Sequence, residues 1–579
     1  MIEIINREIE LFLSSLNDID EEMLKTILQK SKISITDDLS KGHLTTNVCM
    51  VTGSILKKKL NELTSRLKDQ LEGIKLFKKI KVAGPGFINI TLFRKDFIAT
   101  IDKINIDKGD YGKSIFNKGK KIQIEFVSAN PTGPLHVGHG RGAAYGDAVG
   151  RILKATGSSV EREYYINDAG RQIDILTASV ILKLISKNIN NYFPTNAYKG
   201  DYIEEICKKF KKEISINFDN ESIKKINQQD PEKEIDQVIG ILKDSNIKTW
   251  GIIKEFSLNI MILSIKNDLR RFNISYDIWF KETSLGSLDE KSSQISNSIN
   301  MLIKNGSAYK KDGAIWLNTE ISNDDKHRVL IRDNGKATYF ASDVAYHKNK
   351  VDRGFDKLIN IWGADHHGYI KRIEASIESL GFSKDKLIVK LVQFANLFKN
   401  GKKVKMSTRS GDFYKLKDLI DEIGSDAARF FYLSKQADQH LDFNIDLAKS
   451  NSKENMFYYI QYAHARIVSL EENFIKKYPD FEKNLKPIQE STYDKFDNII
   501  HELSKYPSIV DKAAKSLQPH LIIYYLKDLS HLFHSFYNDN HVLSESDENV
   551  QSIIQCMSAV KQVISNGFNL LGISPLKKM

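Results

Sequence analysis

The sequence predicts an α/β protein with a parallel sheet at its centre, preceded by a small α+β domain and followed by an all-α helical bundle. Two observations support this fold class. An apolar run, Ile122 to Val127, leads through a Gly- and Pro-rich loop into helical spacing that ends near Gly157, and a second apolar run, Val160 to Ile166, follows. A strand, loop, helix and strand in this order form the unit of a parallel sheet. From about Ser425 the apolar residues recur at helical spacing.

Length and composition fit a multidomain cytoplasmic protein. A chain of 579 residues with 41% apolar residues corresponds to about three or four domains, at roughly 150 residues each. Lys and Arg total 85 against 74 Asp and Glu, a net charge of +11. This excess permits a polyanionic partner, although codon bias explains it equally well. Neither a signal peptide nor an apolar run of about 20 residues is present, so we expect no membrane contact.

The pattern divides the chain into four parts. Residues 1–105 form the α+β domain, which has a Gly-Pro-Gly turn that feeds a strand. Residues 118–400 form the core, with a Lys- and Asn-rich helical insertion at about 195–300. Residues 401–424 contain a basic loop and a connector, and residues 425–579 form the helical domain. The three cysteines are far apart, so we expect neither a zinc site nor disulfides.

The clearest motif is the loop from Ser128 to Gly140, SANPTGPLHVGHG. Its glycines and prolines allow tight turns and a close approach of a ligand. His136 and His139 fall where the helix begins and share one face. Helix-start amides attract anions, and imidazoles donate hydrogen bonds to phosphate oxygens, which predicts a nucleotide triphosphate here. A metal pair or a simple helix cap are the alternatives, and no third metal ligand lies at a familiar spacing.

Three further segments should reach the same crevice, because ligands bind at the carboxyl ends of parallel strands. They are ATYFASD at 337–343, GADHHG after the strand Leu358 to Trp362, and the basic loop NGKKVKMSTRSG at 400–411. Lysines in such a loop stabilise the negative charge of departing pyrophosphate. A solvated basic face is the alternative reading of the loop.

These motifs together resemble class I aminoacyl-tRNA synthetases, and specifically the bacterial arginyl-tRNA synthetases. The segment KMSTR, from Lys405 to Arg409, resembles the second class I signature, Lys-Met-Ser-Lys-Ser, with Thr408 in place of the second lysine. Whether Lys405, Arg409, Lys402 or Lys403 acts as the main cation stays open. The resemblance implies a Rossmann-type doubly wound catalytic domain. It also implies an N-terminal domain that touches the tRNA corner, for which a purely structural module is the alternative.

The resemblance also implies site residues. The catalytic residues would be His136, His139, Lys405 and Arg409. ATP would contact both histidines with Pro134, Gly138, Asp365, His366, Met406 and Ser407. Arginine would contact Glu125, Ser128, Asn130, Tyr339, Asp343 and His366. A guanidinium requires a carboxylate that accepts its forked donors, and such a pocket should reject lysine. Without these motifs, Tyr339 and Asp343 would be an ordinary helix cap or surface pair.

In the helical tail, the resemblance assigns tRNA binding to Tyr458, Tyr459, Tyr462 and Arg466, and core packing is the alternative for the tyrosines. The implied activity is that of an arginine–tRNA ligase, whose partners are arginine, ATP with Mg²⁺, and tRNA(Arg). The tRNA would bind before arginine is activated, and the enzyme would be a cytoplasmic monomer. A non-catalytic tRNA-binding relative would be expected to lose the histidines or Asp343. A cysteinyl enzyme needs zinc ligands, and a glutamyl pocket needs cations.

Overall fold

The computed structural model describes residues 2–210, 217–319, 326–404, 413–479, 495–540, 542 and 547–579. The chain forms a small N-terminal domain, a central unit around a parallel sheet, and a helical C-terminal domain, which confirms the predicted fold class. The limits of the four parts stay predictions. None of the described helices is long and apolar enough to span a membrane.

The N-terminal domain combines helices with an antiparallel sheet of order β1-β2-β4-β3. Its elements are α1 (Ile2–Ser14), α2 (Glu21–Lys30), β1 (Ile33–Ile35), β2 (Leu44–Thr46), α3 (Val48–Leu56), α4 (Leu60–Glu72), β3 (Phe77–Ala83) and β4 (Phe87–Leu92). Gly84 and Gly86 turn β3 into β4 with φ values of 48° and 97°, so the predicted Gly-Pro-Gly turn joins two antiparallel strands. Helix α5 (Arg94–Asp107) then leads to the core.

The central sheet has five parallel strands in the order β12-β11-β5-β6-β7. These strands are β5 (Lys121–Phe126), β6 (Ser159–Ile166), β7 (Ile278–Lys281), β11 (Lys357–Gly363) and β12 (Leu387–Val392). From β5 the chain proceeds to β6 and β7 on one side, and later places β11 and β12 on the other. The strand order therefore reverses between β5 and β11, which is where open parallel sheets bind ligands.

Helix α6 (Val137–Ala155) follows the SANPTGPLHVGHG loop and packs closely against its neighbours because of its glycines. A Cβ atom at Gly146 would lie 2.3 Å from the Phe126 ring, and one at Gly140 would lie 2.7 Å from the Tyr432 ring. Only glycine therefore lets the helix approach both the sheet and the later helices. This close packing fixes the position of the start of α6 relative to the carboxyl ends of the strands.

Helices and two short sheets complete the central unit. The helices are α7 (Arg171–Leu184), α8 (Asp201–Lys209), α9 (Asn220–Lys224), α10 (Pro231–Ser245), α11 (Ile247–Arg271), α12 (Gln294–Lys304), α13 (Tyr339–Asp352), α14 (Ile370–Ser379), α15 (Leu416–Ile423), α16 (Ser425–Leu433) and α17 (Ile445–Lys449). The strands are β8 (Ala308–Lys311), β9 (Ala314–Leu317), β10 (Arg328–Ile331), β13 (Ala395–Lys399), β14 (Lys402–Lys403) and β15 (Leu441–Asn444).

The structure differs from the sequence expectation after Ser425. Residues Leu441–Asn444 form strand β15, which pairs in parallel with β13, where a helical pattern was predicted. Four residues are too few to show a strand period, and the partner strand precedes them by about forty positions. Four long helices then form the C-terminal domain as predicted: α18 (Met456–Lys477), α19 (Asp497–Ser516), α20 (His520–Asp539) and α21 (Asp547–Leu571).

A buried ion cluster joins α6 to the later helices. The carboxylate of Asp147 on α6 is fully buried and lies 2.5 Å from a guanidinium nitrogen of Arg429 on α16 and 3.0 Å from one of Arg162 on β6. Arg429 also donates to the main-chain oxygens of Phe272 and Leu571, each at 2.9 Å. Breaking such a buried pair leaves an uncompensated charge, so the cluster holds these elements in one arrangement.

Candidate active site

A cavity of about 620 Å³ opens at the carboxyl ends of β5, β11 and β12, where the strand order reverses. It collects residues predicted from distant parts of the sequence: Glu125, Ser128, Asn130, His136, Gly138, His139, Tyr339, Asp343, Asp365 and His366. Pro134 is not among the lining residues. Lys405, Met406, Ser407 and Arg409 lie outside the described residues. A cavity is therefore present where the crevice was predicted. The contribution of the basic loop to this cavity stays a prediction.

The two histidines cap the start of α6 and stack on each other. His136 is the N-cap, and its Nδ1 accepts from the main-chain N–H of Gly138 at 3.0 Å. His139 Nδ1 accepts from the N–H of His136 at 3.2 Å, and the ring centroids lie 3.8 Å apart. Because each Nδ1 acts as an acceptor, the proton of each neutral ring lies on Nε2. Each imidazole therefore keeps one donor for a ligand.

The electrostatics keep both rings neutral. Burial lowers the pKa of His136 below its ordinary value. Burial, and then the neighbouring His136, lower the pKa of His139 to about 3. Two stacked imidazolium ions would repel each other in a half-buried site, so the charged form is disfavoured. The pair can therefore stabilise developing phosphate charge as hydrogen-bond donors without carrying a fixed charge.

A strained turn follows β5. Val127 and Ser128 have positive φ values of 69° and 41°, which is unusual for any residue other than glycine and costly for a β-branched one. The turn brings Ser128 Oγ within 2.9 Å of Glu125 Oε1 and within 3.1 Å of the main-chain nitrogen of Tyr165. Ser128 therefore orients Glu125 by donating to it and joins β5 to β6.

Asp343 and its surroundings form an acidic, aromatic wall. Asp343 is half-buried, and its Oδ2 accepts from the Tyr369 hydroxyl. Burial raises the pKa of Asp343 to about 7; the neighbouring Glu125 and Glu282 also raise it, while the Tyr369 hydrogen bond lowers it. Asp343 therefore changes charge near neutral pH in the empty cavity, and a bound cation would favour its ionised form.

Tyr339 and Asn130 lie at the open rim. Tyr339 is 63% exposed at the first turn of α13, one turn before Asp343 on the same face. Asn130 is exposed and donates to Gln172 Oε1 at 2.7 Å. Both side chains are accessible to a ligand that reaches the acidic wall.

A flat apolar wall lies on the β11 and β12 side. Phe394 follows β12 and is 47% exposed. A Cβ atom at Gly363 would lie 2.4 Å from Asp365 Oδ1 and 3.5 Å from the Phe394 ring, so glycine keeps this wall open. Asp365 and His366 are exposed in the following turn. A ring wall beside exposed polar groups suits a planar base.

Several lining residues carry no role in the sequence predictions. They are Tyr165, Asn167, Tyr346, His347, Trp362, Tyr369 and Phe394. Tyr346 and His347 follow Asp343 by three and four positions, so helical spacing could have placed them on the same face. The orientation of Tyr369 towards Asp343 depends on how α14 packs, which no local pattern predicts.

The predicted tRNA-binding tyrosines form an aromatic surface on α18. Tyr462 is 39% exposed, and Tyr458 and Tyr459 are half-buried, so none of the three belongs to the buried core. The rings of Tyr458 and Tyr462 stack with 5.9 Å between their centroids. The Arg466 guanidinium lies 5.5 Å from the centroid of Tyr462. Exposed rings beside a cation suit the stacking of unpaired bases.

Comparison with protein families gives three matches along the chain. Residues 5–92 match the arginyl tRNA synthetase N-terminal domain, residues 100–479 match the catalytic domain of tRNA synthetases class I (R), and residues 460–579 match the DALR anticodon binding domain.

Individual proteins agree with these matches. The chain is 41% identical over 563 residues to an arginine–tRNA ligase of Thioalkalivibrio sulfidiphilus, with 95% of each chain covered. It is 40% identical over 568 residues to one of Vesicomyosocius okutanii, with 97% of each covered.

Solved structures share the fold. A putative arginyl-tRNA synthetase of Campylobacter jejuni superposes with a TM-score of 0.71 at 33% identity, over 84% of this chain and 100% of that one. The Thermus thermophilus arginyl-tRNA synthetase gives a TM-score of 0.74 over 100% of both chains, and at 18% identity it supports the fold alone. The cavity, the domain matches and the 41% identity along nearly the whole chain together show that the protein belongs to the arginyl-tRNA synthetase family of class I.

Proposed function

We propose that this chain is an arginine–tRNA ligase, which activates L-arginine with ATP and transfers it to the 3′-terminal adenosine of tRNA(Arg). The observation that carries the proposal is the composition of one cavity. Neutral imidazoles lie at the start of α6, and the aromatic-lined carboxylate of Asp343 lies on α13. The imidazoles can donate hydrogen bonds to the oxygens of a triphosphate, and the carboxylate can bind a permanently charged guanidinium.

In the first step, a carboxylate oxygen of arginine attacks the α-phosphorus of ATP, and pyrophosphate leaves. His136 and His139 donate their Nε2 protons in hydrogen bonds to the phosphate oxygens on which charge develops. The apolar wall at Phe394 takes the adenine. We assign stabilisation of the pyrophosphate to Lys405 and Arg409, and contacts with ATP to Met406 and Ser407.

Asp343 binds the guanidinium, with Tyr339 covering it and Glu125 as a second carboxylate. We assign contacts with the α-amino and carboxylate end to Asn130, Ser128 and His366, which line the same cavity. Lysine would leave part of this array without partners, because a compact ammonium cannot satisfy a planar set of acceptors. Selectivity against lysine then needs no separate editing site.

In the second step, a terminal ribose hydroxyl of the tRNA attacks the arginyl carbonyl carbon, and AMP leaves. The surface of Tyr458, Tyr459, Tyr462 and Arg466 binds unpaired bases of the anticodon loop. Mg²⁺ would be held chiefly by the ATP phosphates and would neutralise part of their charge; the described residues contain no cluster of three ligating side chains. We further propose that the enzyme is a cytoplasmic monomer.

Charging of a total tRNA mixture with each amino acid in turn tests the proposal. Arginine alone should become attached, and only to tRNA(Arg). Pyrophosphate exchange should depend on arginine and on the presence of that tRNA. Attachment of glutamate or cysteine would refute the arginine assignment, and tRNA binding without adenylation would mark a non-catalytic relative.

A further inference from the structure

Lys350 lies at the buried end of a polar stripe on α13. Asp343, His347 and Lys350 are spaced by four and then three residues, so they share one helix face. The exposed fraction falls along this stripe, from half-buried Asp343 to 3% for His347 and 0% for Lys350. The stripe therefore runs from the cavity wall into the protein beneath it.

The Lys350 ammonium has three partners, and it can make three hydrogen bonds. Its Nζ lies 2.5 Å from Glu125 Oε2 and 2.9 Å from Asn360 Oδ1. It also lies 4.3 Å from the centroid of the Tyr346 ring. A buried ammonium is retained only where such partners compensate for lost water.

Glu125 depends on this lysine. Its side chain is nearly buried, and among the described residues its carboxylate forms an ion pair with Lys350 alone. The other carboxylate oxygen accepts from Ser128 Oγ at 2.9 Å. Both oxygens of Glu125 are therefore held in place before any substrate arrives.

The contacts continue from Lys350 back to Asp343. Asn360 Nδ2 lies 2.8 Å from His347 Nε2, and His347 Nδ1 lies 2.8 Å from the main-chain oxygen of Asp343. Since the amide nitrogen donates, His347 accepts at Nε2 and donates from Nδ1. A single chain of hydrogen bonds thus joins Glu125 on β5 to the main chain of Asp343 on α13 through buried residues.

The charges of the cavity follow from this arrangement. Glu125 is matched by Lys350, whereas Asp343 forms no ion pair with any described residue. We propose that Lys350 is a positioning residue for the amino-acid substrate: it neutralises and fixes Glu125, so that Asp343 alone supplies the negative charge for one substrate cation. The inference rests on the proposed function, because it requires the cavity to bind arginine.

Replacing Lys350 with Met keeps the length of the side chain and removes its charge. At pH 7 the KM for arginine should rise about tenfold or more, the scale for one disturbed charged hydrogen bond, while the KM for ATP stays constant.

The matched control is Lys348→Met on the same helix, where the lysine pairs with Asp352 near the surface. This variant should keep the wild-type KM for arginine. A Lys350→Met enzyme with an unchanged KM for arginine would overturn the proposal. Failure of the wild-type enzyme to form arginyl-adenylate would instead refute the proposed function.

The double variant Glu125→Gln with Lys350→Met keeps the test valid if Lys350→Met does not fold. Lys350 acts through Glu125, so its removal from the Glu125→Gln protein should leave the KM for arginine unchanged. It should also raise Tm, since an unpaired buried ammonium is lost. A further rise of KM in the double variant would show that Lys350 acts on the substrate by another route, which contradicts the proposal.

Discussion

Asp343→Asn tests the acidic wall most directly, because it keeps the shape of the side chain and removes its charge. The Tyr369 hydroxyl can still donate to the amide oxygen, so the local packing is retained. A charged hydrogen bond contributes about 1.5–3 kcal/mol, which corresponds to a rise of roughly 10- to 150-fold in the KM for arginine. The KM for ATP should not change, since the histidine pair lies at the start of another helix.

The pH dependence sharpens this prediction. The raised pKa of about 7 means that the empty wild-type site favours neutral Asp343 below that pH. If arginine binds the ionised form, its apparent affinity follows the ionised fraction and weakens roughly tenfold from pH 8 to pH 6. The Asn variant should lose this slope. Because folding raises the pKa of Asp343 to about 7, its ionisation at pH 8 destabilises the folded wild type, so the variant should melt no lower than wild type at that pH.

The assay is arginine-dependent pyrophosphate exchange with tRNA present, measured at saturating ATP from pH 6 to pH 8. A wild-type KM for arginine that stays constant across this range would refute the titration of Asp343 as the cause. A parallel rise of the KM values for arginine and ATP in the Asn variant would assign Asp343 a structural role instead.

Three further changes test other parts of the structure. His139→Ala should slow arginyl-adenylate formation by roughly 10²–10³-fold, which is the scale for loss of one preorganised hydrogen-bond donor. The affinity for tRNA should not change, and stopped-flow single-turnover experiments measure the rate of adenylate formation. Gly146→Ala should destabilise folding by about 1–3 kcal/mol through overpacking against the sheet, whereas Gly142→Ala, where a Cβ atom has no neighbour within 4 Å, should be neutral or stabilising in urea unfolding. Tyr462→Leu should weaken charging of tRNA(Arg) without lowering Tm, since the ring is exposed.

Local patterns predicted the strand ends and the helix start well. The SANPTGPLHVGHG loop encodes its own turns and cap, so His136 could be placed at the start of α6 from the sequence alone. The spacing of Tyr339 and Asp343 likewise specified a shared helix face. These features depend on neighbours within a few residues, which is the range over which backbone and side-chain preferences act.

Pairings between distant segments could not be predicted in the same way. The sequence placed Glu125 in the crevice as a ligand, but its partner Lys350 follows 225 positions later and meets it only once β5 and α13 are packed. Strand β15 was not predicted, because its hydrogen-bonded ladder depends on pairing with β13, a distant segment that lies earlier in the chain. Helical spacing predicted which face of α18 carries Tyr462, but it did not predict how exposed the side chain is. That exposure depends on how α20 packs beside α18.

One rigid element connects the active site with the C-terminal domain. Helix α6 begins at the His136 cap in the cavity and carries Asp147 into the buried cluster with Arg429. Between them, Arg141 is buried and donates to the main-chain oxygen of Gln393 at 2.8 Å, beside the apolar wall. A helix cannot shift at one end without moving the other, because its main-chain hydrogen bonds are continuous along its length. The histidine pair and the buried cluster that reaches the end of α21 are therefore positioned by the same element.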